Sequence, residues 1–193
     1  MTEKNIRAFL ALEVKDRETI QNLGIIQQEL KKIIEPIKAV ETENIHITIR
    51  FLANISMEMA KKIYFFLEEN INSKFFKDGP LEFDVVGLED FNRRVFFVNL
   101  NGQTKKLLNM NGIVEDTLVN NHNFKRDSRF QTHITIARLK RSRTKKKTFN
   151  REKYSELKKH YSNLVLGRVK FKKIHLKKST LLPSGPIYEN LVF

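Results

Sequence analysis

The tetrapeptide His-Ile-Thr-Ile occurs twice, at His46–Ile49 and at His133–Ile136. Both copies lie in apolar runs rich in β-branched residues, from Asn44 to Leu52 and from Thr132 to Leu139. Such runs predict strands, over about 45–52 and 132–139, in which successive side chains point to opposite faces. In the first, Ile45, Ile47, Ile49 and Phe51 then share one face, and His46, Thr48 and Arg50 the other. In the second, His133, Thr135 and Ala137 oppose Ile134 and Ile136. Each strand thus carries an imidazole and a hydroxyl in front of an isoleucine wall. The two copies are separated by nearly half the chain, which points to internal duplication: two similar lobes facing each other, with one His strand apiece.

A chain of 193 residues suffices for one domain with a real core, or for two small lobes that share one. Hydrophobic content of 40%, with fifteen Phe, predicts a folded globular protein. The net charge of +14 asks for an acidic partner, most simply nucleic acid or a phosphorylated ligand, against the plainer reading of a basic, soluble surface. With no Cys, disulfide frameworks and thiolate chemistry are excluded, and five His argue against a structural zinc site. No run approaches eighteen apolar residues, so no membrane span and a cytoplasmic location are expected.

Residues 6–14 read as a strand, and Asp16 as the cap of a helix with Ile20, Leu23, Ile26 and Leu30 at helical spacing, ended by Pro36. Ser56 caps a second helix, and Gly79-Pro80 breaks the chain before two strands joined by a turn at 90–93. A third helix is expected over 104–119, and a short charged one over 150–161. Between them lies Lys140–Lys147, with six basic residues in eight, either an ordinary solvated loop or a contact for RNA backbone. Strands follow at 165–177 and 187–193, around a turn at Pro183-Ser184-Gly185-Pro186. Helices mix with antiparallel-looking strands, without strict βαβ alternation or a Gly-rich phosphate loop. The expected class is α+β, in one bilobal domain over residues 1–193.

A His pair can hold one ring protonated and the other free near neutral pH. Cleavage of a phosphodiester uses both states, one ring taking a proton from the attacking group and the other giving one to the leaving oxygen. Each transfer contributes on the order of 10²–10⁴ in rate. Thr48 and Thr135 are suited to hold the phosphoryl oxygens, Arg50 can add positive charge on the His46 face, and no metal or cofactor is required. A single His-x-Thr means little, since Thr is common in strands and a half-buried His usually just finds a hydrogen bond. Two copies in matching contexts carry more. His122 and His160 read as solvated, His175 as a strand residue, and Tyr188 as either cleft wall or packing.

The sequence resembles the 2H phosphoesterases, and within them the RNA 2′,3′-cyclic phosphodiesterases once called 2′-5′ RNA ligases. The resemblance rests on the two His-Ile-Thr-Ile motifs and on flanking stretches. These are Ile6–Leu12, Glu43-Asn44-Ile45, Arg50-Phe51-Leu52, Ala137-Arg138, and the end from Ser179 to Tyr188, so nearly the whole chain is covered. It departs in having Thr132 where the family usually has Pro, and Arg50 where Lys is common.

The resemblance implies two similar lobes of antiparallel sheet with flanking helices around a central cleft. The implied reaction is hydrolysis of an RNA terminal 2′,3′-cyclic phosphate to a 2′-phosphomonoester, with 2′-5′ ligation as its reverse. His46 would then be the proton donor, His133 the proton acceptor, Thr48 and Thr135 the holders of phosphate oxygens, and Phe51 and Arg138 substrate contacts. Both of these fall five residues after their His, an odd spacing that an ideal strand sends to the far face. A bulge, twist or strand end must turn them. The expected partner is RNA with cyclic-phosphate ends, tRNA fragments among them, and the expected state a monomer. The alternatives are a non-catalytic basic module that binds RNA ends, and a phosphodiesterase of small cyclic nucleotides.

Overall fold

The computed structural model describes residues 5–140, 148–183 and 185–193. Most of the basic run thus lies outside the described residues, as does Ser184. The described residues form two principal antiparallel sheets with helices packed on them.

The first sheet contains β1 (Ile6–Glu13) and β4 (His46–Ile55), joined by β10 (His175–Leu181) and β11 (Pro186–Asn190). Its order is β11-β10-β1-β4. The second contains β3 (Ile37–Ala39), β5 (Leu81–Phe91), β6 (Val95–Gly102), β7 (His133–Leu139) and β9 (Val165–Phe171), in the order β3-β7-β6-β5-β9. A two-residue pair, β2 (Ile34–Glu35) with β8 (Thr148–Phe149), lies beside them. Each sheet therefore draws strands from both halves of the sequence. The two sheets do not coincide with the two halves of the sequence, because the C-terminal hairpin returns to pair with β1.

The helices start where side chains can satisfy their free N–H groups. Asp16 accepts from Thr19 N at 2.7 Å ahead of α1 (Arg17–Ile33), and Ser56 Oγ from Met59 N at 3.1 Å ahead of α2 (Met57–Phe66). The second helix continues through a π-helical stretch, Leu67–Asn72, into one turn, α3 (Ser73–Phe75). A longer helix, α4 (Thr104–His122), ends on Asn123 in the left-handed conformation, which makes His122 its last residue. Asn150 caps α5 (Arg151–Tyr161) by accepting from Lys153 N at 3.0 Å. The apolar stripe of α1 buries Leu23, Ile26 and Leu30 against the five-stranded sheet, whereas α2 packs on β10 and α4 on β4. One continuous core joins the layers through Phe83, Phe96, Phe171 and the isoleucines of both His strands. Fully burying each such side chain contributes roughly 1.5–3 kcal/mol.

Both His strands are bulged at the same place, and β4 has a second extra residue, Leu52, between Phe51, which pairs with Phe9, and Ala53, which pairs with Ala8. Along β1 and β4, Ala11 pairs with Thr48 but Leu10 with Arg50, so Ile49 is the extra residue. Along β6 and β7, Phe97 pairs with Thr135 but Phe96 with Ala137, so Ile136 is the extra residue. Each is the last residue of its His-Ile-Thr-Ile. The alternation of faces restarts after each bulge. Phe51 thus comes onto the face of His46 and Thr48, opposite Phe9, while Arg50 leaves it. Likewise Arg138 joins His133 and Thr135, opposite Val95, while Ala137 turns into the core. This corrects the regular alternation expected for both strands, which put Arg50 beside His46 and Phe51 with the isoleucines.

A bulge takes a carbonyl out of the regular ladder, and leaving it buried without a partner would cost about 1–3 kcal/mol. Each bulged residue has a side-chain amide in reserve. Asn111 Nδ2, on α4, donates to Ile49 O at 3.1 Å. Gln27 Nε2, on α1 and only 8% exposed, donates to Ile136 O at 2.9 Å and to Val40 O at 2.8 Å.

Candidate active site

The two histidines are held in the same way. His46 Nδ1 lies 2.6 Å from Asn44 O, and His133 Nδ1 lies 2.7 Å from Gln131 O, each the carbonyl two residues upstream. A carbonyl can only accept, so Nδ1 carries the proton in both rings, and Nε2 is left to do chemistry. His46 Nε2 meets Thr48 Oγ1 at 3.0 Å. The carbonyl of Asn44 is steadied in turn, since Asn44 Nδ2 donates to Pro186 O on β11 at 3.1 Å.

Aromatic rings wall both imidazoles. His46 meets Tyr188 edge-on, with centroids 5.5 Å apart, and Phe9 at 5.1 Å. His133 stands edge-on to Phe91 at 5.1 Å and to Phe97 at 5.2 Å, and these two rings stack at 4.2 Å. Burial among rings disfavours the imidazolium. Desolvation, reinforced by the positive fields of Lys177, Arg138 and His133, lowers His46 to about 4 even though the Asn44 carbonyl pulls the other way. His133 is lowered by desolvation first and then by Arg138, against the pull of the Gln131 carbonyl.

Side chains from both His strands line one cleft of about 330 Å³, among them His46, Thr48, Thr135, Arg138 and Tyr188, with Phe51 at its edge. An adjoining hollow of about 300 Å³ shares Thr48 and Phe51 and adds His133, Gln131 and Phe130. Phe51 is 56% exposed at the junction of the two, and its ring lies 6.1 Å from that of Phe9. Among the described residues no carboxylate forms an ion pair with Arg138. Its charge is therefore available to an anion, and Arg7 and Lys38 add to the basic lining. Of the eight residues singled out from sequence, seven thus line these two joined hollows on the histidine side: His46, His133, Thr48, Thr135, Arg138, Phe51 and Tyr188.

Arg50 is the exception. It borders the second hollow, but its guanidinium is committed: Nε lies 2.7 Å from Glu115 Oε2, with Asp127 at 3.5 Å and the Lys125 carbonyl at 2.5 Å. Glu115 also accepts from Asp127 N at 2.6 Å, while Arg129 holds Asp127 down at about 2. This buried network ties α4 and β4 to the segment that carries Phe130 and Gln131. Arg50 therefore anchors the loop behind His133 and does not offer a free cation to a phosphate.

Several residues on this face carry no sequence signal of their own. Lys177 is 4% exposed and donates to Glu13 and, at 2.7 Å, to Asn190 Oδ1. Burial would raise Glu13, but Lys15 and Lys177 hold it down at about 2. His175 lies 3.6 Å from the same carboxylate. A Lys two places after a His on a short strand is a weak hint that both share a face, and only the pairing of β10 with β1 makes it specific. Among the described residues, no group of three or more His, Asp or Glu is arranged to hold a metal ion. No helix among them is long and apolar enough to cross a membrane.

Comparison with known proteins places this geometry. The chain is 29% identical to the RNA 2′,3′-cyclic phosphodiesterase of Archaeoglobus fulgidus, over 96% of this chain and 98% of the relative. It is 32% identical to the protein of the same name from Aeropyrum pernix, over 81% of this chain and 84% of that one. The crystal structure of TT0787 from Thermus thermophilus superposes with a TM-score of 0.71 at 20% identity, covering 96% of this chain and 95% of that one. Residues 8–189 match the family model of the AKAP7 2′5′ RNA ligase-like domain. With its two His-Ile-Thr-Ile strands on one cleft, the chain belongs to that family, within the 2H phosphoesterase superfamily.

Proposed function

We propose that this protein hydrolyses the terminal 2′,3′-cyclic phosphate of RNA to a 2′-phosphomonoester, using its two histidines as acid and base. One observation carries the reading: two histidines, each with its Nδ1 held by a carbonyl, line adjoining hollows with two threonines and an arginine that has no carboxylate partner among the described residues. The relatives named RNA 2′,3′-cyclic phosphodiesterase support the substrate class.

In this reading His133 Nε2 takes a proton from water as the oxygen attacks phosphorus. The bond from phosphorus to the 3′ oxygen breaks, and His46 Nε2 gives that oxygen a proton. The products are a 2′-phosphate and a 3′ hydroxyl. Thr48, Thr135 and Arg138 hold the non-bridging oxygens as charge develops, and Phe51 offers its face to the base. If the 5′ hydroxyl of another RNA takes the place of water, the same steps make a 2′-5′ linkage. Free His46 is almost wholly neutral at pH 7, so the substrate's own negative charge must draw in the proton that His46 later donates.

The chemistry as written needs no metal, and the protein acts as a monomer on RNA ends in the cytoplasm, tRNA fragments among them. The test is incubation with cyclic-phosphate RNA in EDTA, watching for the 2′-phosphate product. His46→Ala and His133→Ala are each expected to abolish product while the protein stays folded. Full activity in either single variant sinks the two-histidine mechanism. Binding of the RNA end without turnover by the unaltered protein would leave only the binding module. A cleft of about 330 Å³ suits a single nucleotide, so a cyclic mononucleotide belongs in the same assay.

A further inference from the structure

Phe51 and Arg138 reach the cleft only because Ile49 and Ile136 bulge out of register. A strand that lost its bulge and regained regular pairing would send everything beyond it to the opposite face. Phe51 or Arg138 would then leave the cleft, while the His and Thr ahead of the bulge stayed. Something must therefore favour the bulged register. Both Ile side chains are apolar and buried, so their contacts do not ask for it.

The two bulges share one further feature. In each, the carbonyl of the extra residue accepts from a carboxamide on a helix behind the sheet: Asn111 Nδ2 to Ile49 O at 3.1 Å, and Gln27 Nε2 to Ile136 O at 2.9 Å. Gln27 also reaches Val40 O, and Val40 N donates to the same Ile136 carbonyl at 2.8 Å. A carboxamide sits behind each bulge of the repeated His-Ile-Thr-Ile, an Asn on one helix and a Gln on the other. Neither amide lines the cleft.

We propose that Asn111 and Gln27 are positioning residues that latch the two bulges, and that through them α4 sets the base contact at Phe51 and α1 the phosphate contact at Arg138. The inference rests on the substrate roles given to Phe51 and Arg138 above. It divides recognition between two remote side chains, each acting on one part of the nucleotide.

The test uses the full chain and two probes that need no turnover, inorganic phosphate and 2′-AMP, with affinities read by calorimetry. Asn111→Leu is expected to weaken 2′-AMP about 5- to 10-fold and leave inorganic phosphate unchanged. Gln27→Met is expected to weaken both probes about 10-fold. Each effect should vanish on the matching background, Asn111→Leu adding nothing to Phe51→Ala and Gln27→Met nothing to Arg138→Ala. If the isosteric variants do not fold, Asn111→Ala and Gln27→Ala, which leave room for water, run in the same cycles. A structural reading stands beside them whatever the activity: proton NMR contacts between the Phe9 and Phe51 rings should be lost in the Asn111 variants and kept in the Gln27 variants. Persistence of that contact without Asn111, or effects that add in the cycles, overturns the latch. Failure of the unaltered protein to turn over a cyclic phosphate would instead count against the catalytic reading and leave these outcomes legible.

Discussion

Lys177 on β10 and Glu13 on β1 form an ion pair on the cleft face of the four-stranded sheet, with Lys177 only 4% exposed. Its charge is one of those that discourage protonation of His46. Removing one member of a buried pair strands the other, at a typical cost of about 3–5 kcal/mol. Glu13 keeps Lys15 as a partner when Lys177 is lost, so the stranding variant is Glu13→Gln, expected to destabilise the fold by roughly that amount, and Lys177→Met with Glu13→Gln by clearly less. Urea unfolding of the three proteins checks this, and a double variant as unstable as the single would refute it.

The lowered His46 predicts how stability depends on acidity. Above pH 6.5 the ring is neutral whether the chain is folded or not, so this group adds no slope. Below pH 6.5 the unfolded chain takes up a proton that the folded one refuses until about pH 4. Stability should fall across that window by up to roughly 3 kcal/mol. His46→Gln removes the contribution, and its absence from a comparison of unfolding curves between pH 7 and 4 would show that the ring titrates normally.

Ligand binding should pull the other way. A phosphate beside His46 favours the imidazolium, so 2′-AMP binding at pH 7 is expected to take up as much as about one proton. Calorimetry in buffers of different ionisation enthalpy counts that proton, and imidazole nitrogen shifts say which ring holds it. A complex in which His46 stays neutral and no proton is taken up would show that ligand charge does not protonate this ring.

Arg50 should behave as a structural residue. Its side chain is 10% exposed and that of Glu115 6%. Arg50→Met is expected to cost about 3–5 kcal/mol by stranding Glu115, and to make the 123–131 segment easier to cleave with protease. A variant of full stability whose only defect is a raised KM would restore Arg50 to substrate contact.

Much of the site is legible in the two motifs themselves. A histidine and a threonine two places apart on a strand must share a face, so His46 with Thr48 and His133 with Thr135 need no tertiary information. The caps at Asp16 and Ser56 are equally local. What stays hidden depends on pairing. The bulges at Ile49 and Ile136 have no glycine or proline to mark them, and regular alternation therefore assigns Arg50 and Phe51 to each other's faces. The sheet that gathers β1, β4, β10 and β11 joins the two ends of the chain, which local pattern cannot express. Lys177 looks like any basic residue until β10 is laid against β1. The odd spacing of Phe51 and Arg138 is the one local sign that something has to bend.

The extra isoleucine in each His strand also sets the segment ahead of it and the one directly after it in opposite phase. Ahead of the bulge the strand presents its His and Thr to the cleft; beyond it, Phe51 in one strand and Arg138 in the other. Changes on one side leave the other in phase, so, under the proposed mechanism, substrate preference can drift through substitutions at positions 51 and 138 while the histidine pair stays fixed. Deleting a single isoleucine would invert one segment and spare the other, a frameshift written in side-chain direction.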